Sequence, residues 1–226
     1  MDFHIVNIVF QIIVFLFAIS VHESAHAWMA DKCGDPTAKM LGRISMNPLK
    51  HIDPIGTVLL PAIGLFTHAG IFGWAKPCPV TVENFRDPVK GDILTTIAGP
   101  ISNFLLVAGS VLGLAMISLA SPTAKSVVQS LAKGIFLDTN SLWMPIVWLL
   151  YSAIQLNVLL GIFNLLPVPP LDGSHIFRHM LPDSIRNVYD SVGVVGILLI
   201  FTFGGRIIRP LVGPVVNYVD YLLLKV

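Results

Sequence analysis

Charge is what this chain has least of: Lys, Arg, Asp and Glu together make up 12% of its 226 residues, about half the share of an average soluble domain. A water-facing surface cannot be covered with so few charges, so a bilayer is the expected solvent. Cysteine is almost absent, and the spacing of Cys33 and Cys78 suits neither a disulfide framework nor a thiolate zinc site. The fourteen Lys and Arg are scattered and the net charge is +1, so a basic nucleic-acid-binding face is excluded. No Lys or Arg precedes Lys32 and the first apolar run continues directly into charged residues, so without a positively charged leader region that run reads as retained structure rather than a signal peptide. Internal repeats, low-complexity tracts and long linkers are also lacking. Residues 1–226 therefore read as a single membrane-embedded domain with no inserted soluble domain.

What the sequence does have is apolar length. Charge-free runs cover Phe3–His22, Pro54–Ala75, Ile93–Ala124, Thr139–Leu171 and Ser191–Gly205, with a shorter one from Pro210; a spanning helix needs about 20 such residues. The expectation is an all-α polytopic membrane protein of about five to six transmembrane helices. A re-entrant segment and a small β-hairpin or edge strand complete it. Pro54–Ala75 is the re-entrant candidate, because Pro54, Gly56, Pro61, Gly64, Gly70 and Gly73 interrupt it. Gly73–Val82, with Pro77 and Pro79, reads as an edge strand or an interfacial loop.

Phe3–Ala30 contains no Pro or Gly and reads as one continuous helix. Its final third carries His22-Glu23-Ser24-Ala25-His26. Four residues apart, the two histidines project from one helix face and can share a metal, with Glu23 beside them to hold a metal-bound water. Two surface histidines and an exposed glutamate would be the ordinary reading of such a match. Three ionisable groups at the end of an apolar span are too costly to be ornamental, so a metal site is favoured.

A catalytic zinc usually takes three protein ligands. The third candidate follows the apolar run ending at Leu166, in Asn164-Leu165-Leu166-Pro167-Val168-Pro169-Pro170-Leu171-Asp172-Gly173. The prolines must end the helix there. Alone, Asp172 reads as a helix N-cap; beside an incomplete zinc site it reads as the missing ligand.

These two motifs, H-E-x-x-H and N-x-x-P-x-x-P-L-D-G, resemble those of the site-2 protease family of intramembrane zinc metalloproteases, peptidase family M50. The resemblance extends to Asn47–Pro54, Gly73–Val80 and Ala98–Asn103, and covers most of Met1–Pro182. It implies one Zn2+ per chain held by His22, His26 and Asp172, with Glu23 as catalytic base and Asn164 polarising the scissile carbonyl. Asn164 has a second reading as a cap for carbonyls freed by the proline-rich break. The implied substrates are transmembrane proteins or peptides cleaved in or near the bilayer. The chain departs from many members in having no inserted peptide- or nucleotide-binding domain, and no transmembrane segment before the metal-binding helix.

Joining both motifs at one ion requires their helices to run in the same direction. With crossings starting at Phe3, Ile93, Trp143, Val188 and Ile207, ten Lys and Arg fall on the metal side and four on the other. That asymmetry places the active site toward the cytoplasmic side of a multi-pass cell-membrane protein. His51 and Asp53 are candidate partners of the ligands or turn residues, His175 and His179 lack an intervening Glu, and His4 and His68 read as interfacial. Two rival functions fit parts of the pattern: a metal-ion transporter, which gives Glu23 no distinct task, and a non-catalytic membrane scaffold.

Overall fold

A computed structural model describes residues 3–66, 73–135, 141–191 and 193–226. Residues 67–72 of the expected re-entrant segment, His68 among them, and the His4 side chain lie outside this description. The apolar N-terminal run forms α1 (Phe3–Cys33), which ends where Gly34 adopts φ 118°. That conformation lets the Gly34 and Asp35 N–H groups turn back onto the Ala30 carbonyl, at 3.1 and 2.9 Å, closing the helix as a left-handed glycine cap does. A single turn, α2 (Thr37–Met40), follows.

Asp53 then accepts from the N–H groups of Ile55 and Gly56 and opens a π-helical turn, Pro54–Leu59, that runs into α3 (Leu60–Phe66). These thirteen residues rise about 20 Å, short of the roughly 30 Å hydrocarbon layer. By Trp74 the chain is back beside its starting point. The Trp74 N–H donates to the Gly56 carbonyl and the Thr57 hydroxyl donates to the Trp74 carbonyl.

The remaining helices are α4 (Pro88–Ala120), α5 (Pro122–Ala132), α6 (Met144–Asn164), α7 (Asp172–Met180), α8 (Asp183–Ser191) and α9 (Gly193–Lys225). Four described helices are long and apolar enough to cross a membrane: α1, α4, α6 and the Gly205–Lys225 part of α9. The expected five to six are not reached among the described residues. The separate crossings assigned to Val188 onward and Ile207 onward become one element, because α9 runs unbroken through Pro210 and Pro214. Prolines that would end a helix in water are accommodated in membrane helices.

No strand forms among the described residues, so the edge strand expected at Gly73–Val82 is not seen; residues 73–81 are irregular. Two of their positions are prolines, which cannot donate to a ladder. The segment is held instead by the Lys76 N–H to His51 carbonyl bond (2.8 Å) and by Arg43, whose guanidinium donates to the carbonyls of Lys50, Lys76 and Pro77.

The chain divides into two compact units, Ile19–Ser102 and Met1–Ala18 with Asn103–Val226. In the second, α5, α6 and α9 pack around Leu114, Val128, Val147, Ile154, Val158 and Leu223. Buried polar contacts lock this packing: Asn103 donates to Asn157 (2.8 Å) and Tyr151 to Asp220 (2.9 Å). In the Ile19–Ser102 unit the fully buried Asp35 ties the end of α1 to the 81–84 turn. It accepts from the Thr37 and Thr81 N–H groups, the Thr37 hydroxyl and the Asn84 amide.

Candidate metal centre

The last third of α1 brings His22 and His26 onto one face, both 7% exposed. Their Nε2 atoms lie 3.0 Å apart and their rings meet edge to face, centroids 4.6 Å apart at 86°. Two nitrogens bound to one tetrahedral zinc at about 2.05 Å would stand about 3.3 Å apart, so the pair is already close to ligand spacing. His26 Nδ1 lies 2.7 Å from the Thr95 carbonyl of α4. A carbonyl can only accept, so neutral His26 carries its proton on Nδ1 and presents the Nε2 lone pair. A metal-binding histidine typically has its other nitrogen fixed in this way.

Neither Thr95 nor Gly99 was singled out by sequence as a part of the site. A Cβ at Gly99 would sit 2.4 Å from His26 Nε2 and 2.6 Å from His22 Cε1. Glycine is therefore what allows α4 to lie against both imidazoles. Pro100, next in line, removes the N–H that would bond the Thr96 carbonyl and loosens the same turn. The contact of Gly99 with histidines more than seventy residues away has no local pattern in the sequence.

Glu23 is half-buried between the histidines in sequence. Its charge reaches His51 and Cys78. Ser24, beside it, accepts from the Ser45 N–H (2.9 Å), and the Ser45 carbonyl accepts from fully buried His51 Nε2 (2.8 Å). Burial pushes the His51 pKa down against that hydrogen bond, so this imidazole stays neutral. Burial, with the Glu23 charge, pushes the Cys78 thiol up to about 12, so it stays protonated.

In the other unit Asp172 is the first residue of α7, half-buried, with Leu171 in the cap position. The ordinary N-cap reading of Asp172 is thus not what the fold uses. A Cβ on the next residue, Gly173, would lie 2.2 Å from the Leu165 carbonyl, so α7 starts hard against the last turn of α6. Asn164 ends α6. The freed carbonyls there are met by backbone, Leu165 N–H to Ile162 and Leu166 N–H to Phe163, and among the described residues the Asn164 side chain caps none of them.

Comparison with known proteins bears on this site. The model of peptidase family M50 matches residues 10–203, and the chain belongs to that family. It is 34% identical to "Putative zinc metalloprotease YwhC" of Bacillus subtilis (strain 168), over 89% of this chain and 85% of that protein. It is 27% identical to "Putative zinc metalloprotease Rip2" of Mycolicibacterium smegmatis, over 76% of this chain and 57% of that one. It is 25% identical to "Zinc metalloprotease MJ0392" of Methanocaldococcus jannaschii, over 77% and 36% respectively. No solved structure matches the chain. The protein is accordingly a multi-pass membrane metalloprotease, and zinc is its cofactor.

Proposed function

We propose that the chain is a site-2-type intramembrane protease, a single membrane domain that hydrolyses peptide bonds in or near transmembrane segments of membrane proteins during regulated intramembrane proteolysis. Two buried histidines and a half-buried aspartate, His22, His26 and Asp172, supply its zinc ligands. The observation that carries the reading is the His22–His26 pair, 3.0 Å apart and oriented by the Thr95 carbonyl, with Glu23 in the same helical turn. Two imidazoles and one carboxylate are a recurrent donor set for catalytic zinc. Zinc, when bound, polarises a carbonyl and acidifies water.

Glu23 takes the proton from the attacking water and returns it to the leaving amine. Asn164, whose amide is not spent on capping, donates to the developing oxyanion. A substrate strand must be extended to expose its scissile bond. The 73–81 segment offers a partner: the Trp74 and Lys76 N–H groups are bonded to Gly56 and His51, while the backbone of Ala75 between them forms no bond among the described residues and is open to pairing.

The site faces the cytoplasm of the cell membrane on this reading. With α9 a single helix, nine Lys and Arg fall on the metal side and three on the other, Arg206 and Arg209 lying inside the helix. Orientation by positive charge therefore survives the correction.

The test is Glu23→Gln in proteoliposomes with a single-span substrate. Zinc content is expected to stay near one per chain while cleavage falls by about 10²–10⁴-fold, the usual contribution of a general base. Zinc retained with undiminished cleavage would refute the assignment, and metal flux surviving with no cleavage in either form would point to a transporter instead.

A further inference from the structure

The Ile19–Ser102 unit carries a cleft of about 440 Å³ that the metal site does not use. Arg43, Lys50 and Lys76 line it, with Leu41, Leu49 and Pro77 among its apolar walls. No carboxylate lines it. The sequence explains the imbalance, since Asp and Glu are missing from residues 36–52 and again from 73–82.

Arg43 builds this cleft. Its buried guanidinium binds the carbonyls of Lys50, Lys76 and Pro77, which pins the backbones of both lysines to one group and brings their ammonium-bearing side chains to one opening. Carbonyls do not neutralise a guanidinium, so its full positive charge remains there. Lys50 and Lys76 are exposed, and neither has a carboxylate partner among the described residues. Three cations lining one opening, with no carboxylate in that lining, attract a negative ligand.

The surroundings say what kind of anion. Met40 is 81% exposed and Leu49 76%, and Leu41, Met46 and Trp74 are exposed with them. Apolar side chains interleaved with lysines and an aromatic ring, and free of acids, form the pattern of a surface at the headgroup level of a bilayer. We propose that this cleft binds an anionic phospholipid, its phosphate between Lys50 and Lys76 and its glycerol and upper acyl region against Leu41 and Leu49. The same lysines would then hold the 73–81 segment at a fixed depth. An acidic stretch of a protein substrate is the competing occupant, but it offers nothing for so much exposed apolar surface.

The experiment uses the full zinc-loaded chain in phosphatidylcholine nanodiscs titrated with phosphatidylglycerol, with retained lipid counted by native mass spectrometry. Wild type is expected to hold one phosphatidylglycerol tightly. Lys50→Gln with Lys76→Gln should weaken it about thirtyfold, each surface cation contributing about fivefold. Lys50→Arg with Lys76→Arg should keep it, and Lys125→Gln with Lys133→Gln, basic positions elsewhere, should change nothing. If the double glutamine form melts below the wild type, the two single glutamine forms are read instead, each expected to lose part of the affinity. Unchanged retention in the glutamine forms overturns the proposal, as does displacement of the lipid by an acidic peptide that binds more tightly than phosphatidylglycerol.

Discussion

At the scale of single residues, Gly99 sets two effects against each other. Alanine in a helix interior is favoured over glycine by up to about 1 kcal/mol, so Gly99→Ala should help α4 as a helix. The added methyl would meet His26 Nε2 at 2.4 Å and His22 Cε1 at 2.6 Å, distances no carbon tolerates. The expected outcome is a chain whose melting temperature is kept while zinc affinity falls by about 10–100-fold, the loss typical when groups behind a ligand are disturbed. Zinc titration alongside thermal unfolding checks it, and full zinc affinity in the alanine form would defeat the packing argument. The histidines were legible in the sequence because i, i+4 spacing is a local rule. Gly99 and Thr95 were not, because what they contribute is an approach of α4 to α1 that only the folded chain creates.

At the scale of elements, the end of α1 is joined to the 81–84 turn through Asp35, and acid should undo that joint. Burial alone would raise the Asp35 pKa, but the bonds from Asn84, Thr37 and Thr81 prevail and hold it below the usual carboxylate range. The sign follows: with the folded pKa depressed, its stabilisation is complete above about pH 3.9 and is lost as pH falls through the folded value. His51 acts earlier. Buried neutral, with its pKa lowered, it resists a proton that the unfolded chain accepts near pH 6.5, so stability declines as pH drops below about 6.5. Asp35→Asn turns an NH2 toward donors that need an acceptor and should cost about 1–3 kcal/mol. Hydrogen exchange of residues 78–86 in the full chain should show the His51 decline in both forms and the lower decline in wild type alone; identical profiles down to pH 3 would remove Asp35 from its role. Element types were legible where apolar length governs them, as in α1 and α4. They were misread in two places: Pro77 and Pro79 suggested a strand edge where Arg43 and His51 hold an irregular segment, and the charges Arg206 and Arg209 divided an apolar run through which α9 continues.

At the scale of the whole molecule, scarce charge identified the solvent, and the few charges present should report orientation. Helix α4 runs unbroken for 33 residues, about 50 Å at 1.5 Å per residue, against a hydrocarbon layer of about 30 Å. Lys90, in its first turn, and Lys125, just beyond its end in α5, must then face opposite sides of the bilayer. The orientation proposed above puts Lys90, with Lys39 and Lys50, on the cytoplasmic side. Cysteines introduced singly at 90 and 125 test this in intact cells with a membrane-impermeant maleimide. Cys33→Ser and Cys78→Ser first remove the two native thiols. Lys125→Cys should label at once and Lys90→Cys only after permeabilisation. Labelling of both from outside would mean that α4 does not cross. The reverse order would keep the crossing, invert the molecule and put Glu23 on the outer side, overturning the proposed cytoplasmic placement of the site.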